Sequence, residues 1–294
     1  MSAPKLASQK YKKENRAAEV WHRLKKNKGA MVGLVIILIF VLIAATATLW
    51  IDYDTDVIQQ NSKVKLQAPS SEHIMGTDEY GRDIFSRLMY GTRYSLSIGV
   101  VSVFIALVIG VTLGAIAGYY GGIVENLIMR AADIFHSIPT ILMGIVIVAA
   151  LGPNVFNLML AVGLTSVPSF VRITRAAILT VRNQEFVESA RAIGISEPKI
   201  IFQHILPNCL SPIIVQTTLR IANSIVSAAS LSFLGLGVPA PAPEWGSMLS
   251  AGREFIRSSS YMTLFPGLAI MLVVLGFNMV GDGLRDALDP KLKK

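Results

Sequence analysis

The chain has 294 residues, of which 52% are hydrophobic and 16% are charged, against about 25% charged residues in an ordinary soluble domain. A soluble domain of this length could bury a large core, so the positions of the apolar residues decide the class of protein. The single cysteine, Cys209, excludes a disulfide within the chain and a multi-cysteine metal site.

The apolar residues are clustered into stretches that could cross a bilayer. Residues 31–51 contain no charge, and about 20 apolar residues are enough to span the hydrocarbon core. Similar stretches recur at residues 95–118, 134–151, 155–171, 209–236 and 262–281. Because Gly, Pro or polar residues interrupt several of them, we predict an all-α, polytopic membrane protein with six transmembrane helices and keep five as the alternative count.

A signal peptide is the other interpretation of the first stretch, because Ala45 and Ala47 resemble a cleavage site. Signal sequences have an apolar core of about 7–15 residues after a short basic segment. Here 30 residues precede a longer apolar run, which favours a transmembrane helix.

Basic residues are distributed unequally between the two predicted faces. Nine Lys and Arg residues precede residue 31, and with six spans nineteen lie on the cytoplasmic side against seven on the outer side. This bias predicts that both termini are cytoplasmic. We therefore explain the net charge of +8 by the orientation of the chain in the membrane rather than by nucleic-acid binding. We divide the chain into a basic tail at 1–30, a transmembrane domain at 31–286 and a second tail at 287–294.

The predicted topology places two long polar connections on the outer side. Residues 52–93 form the longest one and end in an amphipathic stretch, whereas residues 237–261 form a loop rich in proline. Shorter turns are predicted at 119–129 and 152–154. At the inner end of the third helix, Arg130 and Asp133 are three residues apart and are expected to pair.

The cytoplasmic segment 184–208 is predicted to form two short helices joined by a tight turn. Gly194 and Ile195 fit a helix end that needs a left-handed residue followed by an apolar one. The preceding helix, at 185–193, carries an apolar stripe made of Phe186, Val187, Ala190 and Ile193.

The second helix of this segment has its own boundary residues. Ser196 is a candidate N-cap, and Pro198 is tolerated in the first turn. Pro207 is predicted to end the helix before the fifth span begins.

Small residues within the spans suggest close contacts between helices. Small residues let helices approach closely in a membrane, and we expect this packing role for Gly110, Gly114, Ala115, Ala117, Gly118, Ala228 and Ala229.

One face of the fifth span carries polar residues at helical spacing, namely Gln216, Arg220, Asn223 and Ser227. We favour a face that lines a translocation path or meets a partner subunit; the alternative is a stripe that forms hydrogen bonds within this chain.

The spacing within residues 184–208 resembles the EAA loop of bacterial ABC-importer permeases, whose pattern is E-A-A-x3-G-x9-I-x-L-P. The residues that carry the resemblance are Glu188, Ser189, Ala190, Gly194, Ile205, Leu206 and Pro207. His204 stands where the pattern has Ile, and Ile205 beside it could supply the apolar contact. The resemblance implies a coupling helix that inserts into a groove of an ATPase subunit.

Three further stretches resemble the dipeptide, oligopeptide and nickel permeases of this family. They are residues 76–96, beginning Gly-Thr-Asp-Glu-Tyr-Gly-Arg-Asp, residues 232–249, and residues 281–290, which resemble the C-type permease subunit. The resemblance extends from about residue 72 to residue 294, and this chain has Ala240-Pro241 where the family has Pro-Pro.

The resemblance implies several partners for this permease. They are a second homologous permease subunit, two ABC ATPase subunits and an extracytoplasmic solute-binding protein, in the bacterial cytoplasmic (inner) membrane. Trp245 suits docking of the binding protein or sealing of the cavity mouth, or it could anchor at the headgroup level.

No catalytic, cofactor or metal site is predicted within the chain. The sequence has no Gly-x4-Gly-Lys-Ser/Thr motif, so ATP and Mg are expected on the partner ATPases. The four histidines are scattered and form no HExxH pattern.

The substrate class rests on the resemblance alone. It implies di- or oligopeptides, with nickel or glutathione as alternatives. The rival classes are an ion-gradient-driven secondary transporter, which would place acidic residues deep in the spans, and a receptor-like or structural membrane protein. This chain has almost no acidic residues at the centres of its apolar stretches.

Overall fold

The computed structural model describes residues 16–289, and within this range the chain is helical and has no β-strand. Helix α1 (Arg16–Lys26) is separated from α2 (Lys28–Trp50) by Asn27 alone. The Asn27 side-chain oxygen accepts a hydrogen bond from the Ala30 N–H at 3.1 Å, which satisfies a free donor of the first turn of α2. Of the predicted tails at 1–30 and 287–294, residues 1–15 and 290–294 lie outside the described part of the chain.

A connection of residues 51–83, here called the long connection, follows α2. The remaining helices are α3 (Ile84–Tyr120), α4 (Gly122–Ser137), α5 (Thr140–Leu151), α6 (Val155–Val181), α7 (Glu185–Ala192), α8 (Glu197–Lys199), α9 (Leu210–Leu231), α10 (Trp245–Gly252) and α11 (Tyr261–Leu288). The amphipathic end of the predicted 52–93 connection is therefore the first turns of α3.

In the described part of the chain, five helical stretches are long and apolar enough to cross a membrane. They are α2, α3, α6, α9 with its flanking turns, and α11. Helices α4 and α5 reach this length only together, and they are bent by 90°. The prediction of five or six spans is confirmed, with the sixth formed by a broken pair.

Two predicted boundaries in this part of the chain differ from the structure. The single span predicted at 134–151 is wrong, because Pro139 restricts Ile138 to an extended conformation with φ −87° and ψ 129°. The turn predicted at 119–129 is also wrong: only Gly121, with φ +68°, separates α3 from α4.

Helices α3 and α6 approach closely along a row of glycines on α3. A methyl group at Gly110 would lie 2.4 Å from Phe170 Cβ, and one at Gly114 would lie 2.6 Å from the Val171 carbonyl oxygen. One at Gly118 would lie 2.8 Å from Ile178 Cβ. The packing role predicted for these small residues is confirmed, and α3 and α6 form a closely packed pair.

Trp245, at the start of α10, is fully buried. Its Nε1 donates a hydrogen bond to the Leu88 carbonyl oxygen at 3.0 Å, and its ring meets Phe40 edge-to-face at 5.7 Å. The predicted docking of a binding protein on the Trp245 ring and its predicted anchoring among headgroups do not fit, because the ring is enclosed by this chain. The sealing of the cavity mouth stays a prediction.

Candidate functional site

Residues 184–208, here called the paired-helix loop, contain the turn that the sequence predicts. Gly194 has φ +81°, and its N–H donates to the Arg191 carbonyl at 3.0 Å, while the Ile195 N–H donates to the Ala190 carbonyl at 3.1 Å. These two bonds form a Schellman motif, which ends α7 at this point. A methyl group at Gly194 would meet nothing within 4 Å, so the left-handed backbone, and not a lack of space, favours glycine here.

The apolar side chains of the paired-helix loop dock on the ends of α3 and α6. Val187 and Ile200 are 0% exposed, and they belong to one buried cluster with Ala115 and Tyr119 of α3 and Ile178 of α6. Of the predicted stripe, Val187 and Ala190 are buried, whereas Phe186 and Ile193 are 37% and 76% exposed. The stripe is therefore divided between the docked surface and the free surface.

The predicted coupling residues divide in the same way. Ala190 and Ile205 are buried in the docked surface and Leu206 is half-buried. The buried Ile205 side chain supplies the apolar contact that was expected of it in place of His204. Exposed positions, which a partner could reach, are held by Glu188, Ser189, Gly194 and Pro207.

The second helix of the paired-helix loop runs into α9 without a break. After α8, residues Ile200–Ile205 form a π-helical turn and Leu206–Cys209 a 3₁₀ turn, and α9 begins at Leu210. The prediction that Pro207 ends the helix is wrong. Its missing N–H falls in the first turn of the 3₁₀ segment, where that donor has no helical partner, so the chain stays helical.

Ser196 occupies the N-cap position of α8 with extended angles, φ −65° and ψ 142°, but its hydroxyl makes no capping hydrogen bond there. Pro198 lies in the first turn, as predicted. The start of α8 therefore depends on backbone geometry rather than on a side-chain cap.

Arg191 was not selected from the sequence, yet it joins three parts of the site. Its Nη2 donates to the Tyr119 hydroxyl at 2.9 Å, and its Nε lies 3.7 Å from a Glu197 carboxylate oxygen. The hydrogen bond to Tyr119 raises the pKa of the Arg191 guanidinium. The sequence offers no signal for this contact, because Tyr119 and Arg191 are 72 positions apart.

Other arginines hold the neighbouring helix ends. Arg182 donates to the Gly118 carbonyl at 2.8 Å, and Arg175 pairs with Glu125 of α4. Asp133 of α4 pairs with Arg172 of α6 at 2.7 Å. The predicted pair of Asp133 with Arg130 is therefore wrong, because the packing of α4 on α6 brings a different arginine to the carboxylate.

The four polar residues predicted to share one face of α9 differ in exposure. Gln216, Arg220 and Ser227 are half-buried, whereas Asn223 is exposed. Arg220 donates to the Ser169 hydroxyl of α6, and Asn223 donates to the Leu219 carbonyl at 3.0 Å. Arg220 and Asn223 thus both have hydrogen-bond partners within the chain, and the Asn223 side chain is also exposed.

The long connection is held by a buried group of charges. Asp78, 6% exposed, accepts hydrogen bonds from Arg82 Nε at 2.6 Å and from the Arg82 N–H at 2.9 Å. Arg87 Nε lies 3.6 Å from Asp78, and Arg87 Nη1 donates to the Val57 carbonyl at 2.7 Å. Burial raises the pKa of the adjacent Glu79 carboxyl.

Within residues 16–289, no group of three or more His, Cys, Asp or Glu side chains could hold a metal ion. The site therefore consists of a docked helix pair with an exposed edge, joined directly to a transmembrane helix.

Two family models match the chain. Residues 110–294 match the model described as a binding-protein-dependent transport system inner membrane component, and residues 15–69 match the N-terminal transmembrane domain of oligopeptide transport permease C. The first match includes the whole paired-helix loop.

Curated relatives resemble the chain over most of its length. It is 53% identical to the dipeptide transport system permease protein DppC of Alkalihalophilus pseudofirmus, over 94% of this chain and 90% of that protein. It is 44% identical to DppC of Haemophilus influenzae, over 94% and 95%. It is also 44% identical to the glutathione transport system permease protein GsiD of Pectobacterium atrosepticum, over 94% and 91%.

Solved structures share the fold. A chain of the MetNI methionine ABC transporter in an inward-facing conformation matches with a TM-score of 0.57 at 20% identity, covering 70% of this chain and 98% of that chain. A second crystal form of that transporter gives a TM-score of 0.55. The chain belongs to the family of binding-protein-dependent transport system inner membrane components, and it is a multi-pass permease subunit of an ABC importer in the inner membrane.

Proposed function

We propose that this permease imports di- or oligopeptides, and that its paired-helix loop is the coupling element that docks on an ABC ATPase. ATP and Mg would be bound by two ATPase subunits, and a solute-binding protein would deliver peptide to the side of the long connection. Family membership implies ATPase and binding-protein partners; their number, their positions and the substrate belong to the proposal.

One observation carries the coupling role. The paired-helix loop presents an exposed edge, with Glu188, Ser189 and Gly194, while its opposite surface is buried on α3 and α6. A push on the exposed edge would reach α9 directly, because helical backbone continues from Glu197 through α9 to Leu231. ATP-driven closure of the ATPases would then shift the permease between two states.

A pair of homologous permease subunits would form the path. The exposed Asn223 amide supports this pairing, because a polar side chain facing lipid is costly unless it meets water or another helix. We assign Gln216, Arg220, Asn223 and Ser227 to the wall of that path. The excess of basic residues near the paired-helix loop and in the sequence of the tails supports a cytoplasmic location for both termini.

The coupling role can be tested by site-specific crosslinking in the assembled complex. Cys209 is 2% exposed, so a new cysteine at Ser189 would be the accessible one. Ser189→Cys is expected to crosslink to the ATPase through a short bifunctional reagent, whereas Ser70→Cys, exposed on the long connection, is not. Equal crosslinking by both variants, or none by Ser189→Cys in an active complex, would refute the docking.

The substrate can be tested by competition. The relatives named for dipeptide and for glutathione transport have similar identities to this chain, so both classes need to be measured. Vesicles that contain the full complex and its binding protein are expected to take up labelled dipeptide, with excess unlabelled tripeptide competing and Ni²⁺ having no effect. Uptake of glutathione in preference to dipeptides would replace the peptide assignment.

A further inference from the structure

The coupling loop proposed above has a continuous connection to α9, and the structure also gives it a second attachment. We infer that Arg191 and Tyr119 form a latch through which motion of α7 reaches α3. This inference rests on the proposed coupling role of the paired-helix loop, and it assigns to both residues a positioning role in transport.

The geometry of the latch joins three elements. Arg191 lies in the last turn of α7, Tyr119 in the last turn of α3, and Glu197 at the start of α8. Besides the hydrogen bond to the Tyr119 hydroxyl, the guanidinium carbon lies 5.7 Å from the centre of the Tyr119 ring, within cation–π distance. One arginine therefore spans the Gly194 turn and ties the loop to a transmembrane helix.

The two partners of the latch differ in burial, so motion is expected to pass from the exposed residue to the buried one. Tyr119 is 9% exposed and belongs to the cluster on which the paired-helix loop docks, whereas the Arg191 side chain is 54% exposed. Arg191 therefore lies on the surface that a partner protein could move, whereas Tyr119 is held among the packed transmembrane helices. A displacement of α7 therefore has to break this hydrogen bond or carry the end of α3 with it.

Helix α3 can carry such a displacement across the membrane. It is one helix of 37 residues, closely packed on α6 through its glycines and on α9 at Gly99, where a methyl group would lie 2.5 Å from Ile225. At its other end, Arg87 binds the Val57 carbonyl of the long connection and lies 3.3 Å from the Pro241 carbonyl. Through α3, the latch thus connects the proposed ATPase surface to the long connection and to the loop that contains Pro241, at the other end of this helix.

The mildest test removes one oxygen atom. Tyr119→Phe deletes the hydroxyl and keeps the ring, and Tyr120→Phe is the matched control. The Tyr120 hydroxyl makes no hydrogen bond within the described residues, and its ring packs edge-to-face on Tyr119 at 5.2 Å. Both variants would be studied in vesicles containing the complete complex and binding protein, with ATP hydrolysis and dipeptide uptake measured together.

We expect Tyr119→Phe to lower the uptake per ATP hydrolysed by roughly three- to tenfold, the range for loss of an ordinary hydrogen bond, because the exposure of Arg191 weakens its bond to Tyr119. Tyr120→Phe is expected to match the wild type. Arg191→Lys keeps the charge but loses the planar fork, so an intermediate ratio is expected. A structural role alone would lower both rates and the co-purification of the ATPase while leaving the ratio unchanged.

An unchanged ratio for Tyr119→Phe would overturn the latch, as would an equal loss in Tyr120→Phe. Failure of the proposed substrate is distinguishable, because the wild-type complex would then hydrolyse ATP without taking up dipeptide. In that case the stimulation of ATP hydrolysis by the binding protein replaces uptake as the measure. Tyr119→Phe is expected to reduce that stimulation, and an unchanged value would again overturn the latch.

Discussion

The paired-helix loop and the long connection lie at opposite ends of α3, and different forces hold them. The loop is docked by apolar side chains, and its ion pair between Arg191 and Glu197 is 54% and 44% exposed. The long connection is held by the ion pair of Arg82 with Asp78, whose side chains are 6% and 8% exposed.

This difference separates a surface that can move from one that is fixed. A buried carboxylate between two arginines is costly to disturb, because each charge left alone has lost its hydration. Exposed ion pairs contribute little to stability, so they can rearrange when a partner binds. We expect substitutions in the long connection to act on folding and substitutions in the paired-helix loop to act on transport.

The largest effect is expected from Asp78→Ala. This change leaves Arg82 and Arg87 buried without their carboxylate, and loss of one member of a buried pair costs about 3–5 kcal/mol. Thermal unfolding of the purified complex in detergent would measure it. Asp54→Ala, an exposed acidic residue of the same connection, is the control and should change little. Equal unfolding temperatures for the two variants would contradict the fixed character of this region.

The second effect is expected from Gly194→Val. The left-handed backbone at φ +81° is strained for a β-branched residue by about 1–3 kcal/mol, enough to reduce transport by roughly tenfold. Gly194→Asn is the matched control, because asparagine tolerates this conformation. Uptake and co-purification of the ATPase are the measurements. Normal uptake by the valine variant, with the ATPase bound, would show that the turn is not needed for coupling.

A smaller effect, several-fold, is expected from Arg220→Leu, which lies between the two regions on α9. Uptake should fall more than membrane insertion, because a charged side chain within a span is a functional residue by default. Ser169→Ala separates the two interpretations of this residue. If the serine variant loses as much uptake as the arginine variant, Arg220 acts through its hydrogen bond within the chain rather than on the path.

The smallest effect is expected from Glu79→Gln in the long connection. Burial raises the pKa of Glu79 above its ordinary value of 4.5. A carboxyl with a raised pKa in the folded state stabilises the fold at low pH, and this contribution is lost as the pH rises through the raised pKa. Glu79→Gln should therefore raise the unfolding temperature slightly at pH 7, and the gain should shrink toward pH 4.5.

The exposed residue Glu72 provides the control for this pH dependence. Glu72→Gln is expected to leave the unfolding temperature of the complex unchanged at both pH values. A stabilisation by Glu79→Gln that is the same at both pH values would show that the carboxyl does not titrate as its burial predicts.

The sequence predicted some features because their causes are local. Apolar runs long enough to cross a bilayer predict helices, since a helix satisfies all its backbone hydrogen bonds within one segment in lipid. The Schellman turn at Gly194 needs only two neighbouring residues, and the glycine row of α3 needs only helical spacing. The EAA spacing within the paired-helix loop is local in the same sense, and it indicates the family to which the chain belongs.

Other features could not be found from the sequence, because they depend on distant partners. The position of Trp245 in a polar loop predicts a surface residue, whereas in the structure its ring contacts Leu88 and Phe40. Asp133 pairs across two helices with Arg172, and the local neighbour Arg130 proved the wrong choice. Pro207 is accommodated because the preceding turn changes its hydrogen-bonding pattern, which no single residue signals.

By itself, then, the sequence determined the class of protein, the number of spans to within one, and the turn that separates α7 from α8, because each follows from the period or conformation of neighbouring residues. Only the tertiary structure decided which side chains of the paired-helix loop are docked and which are free. It also decided that Arg191 meets Tyr119 and that Asp78 is enclosed by two arginines. These contacts join residues far apart in the chain, and they exist only once the helices have packed.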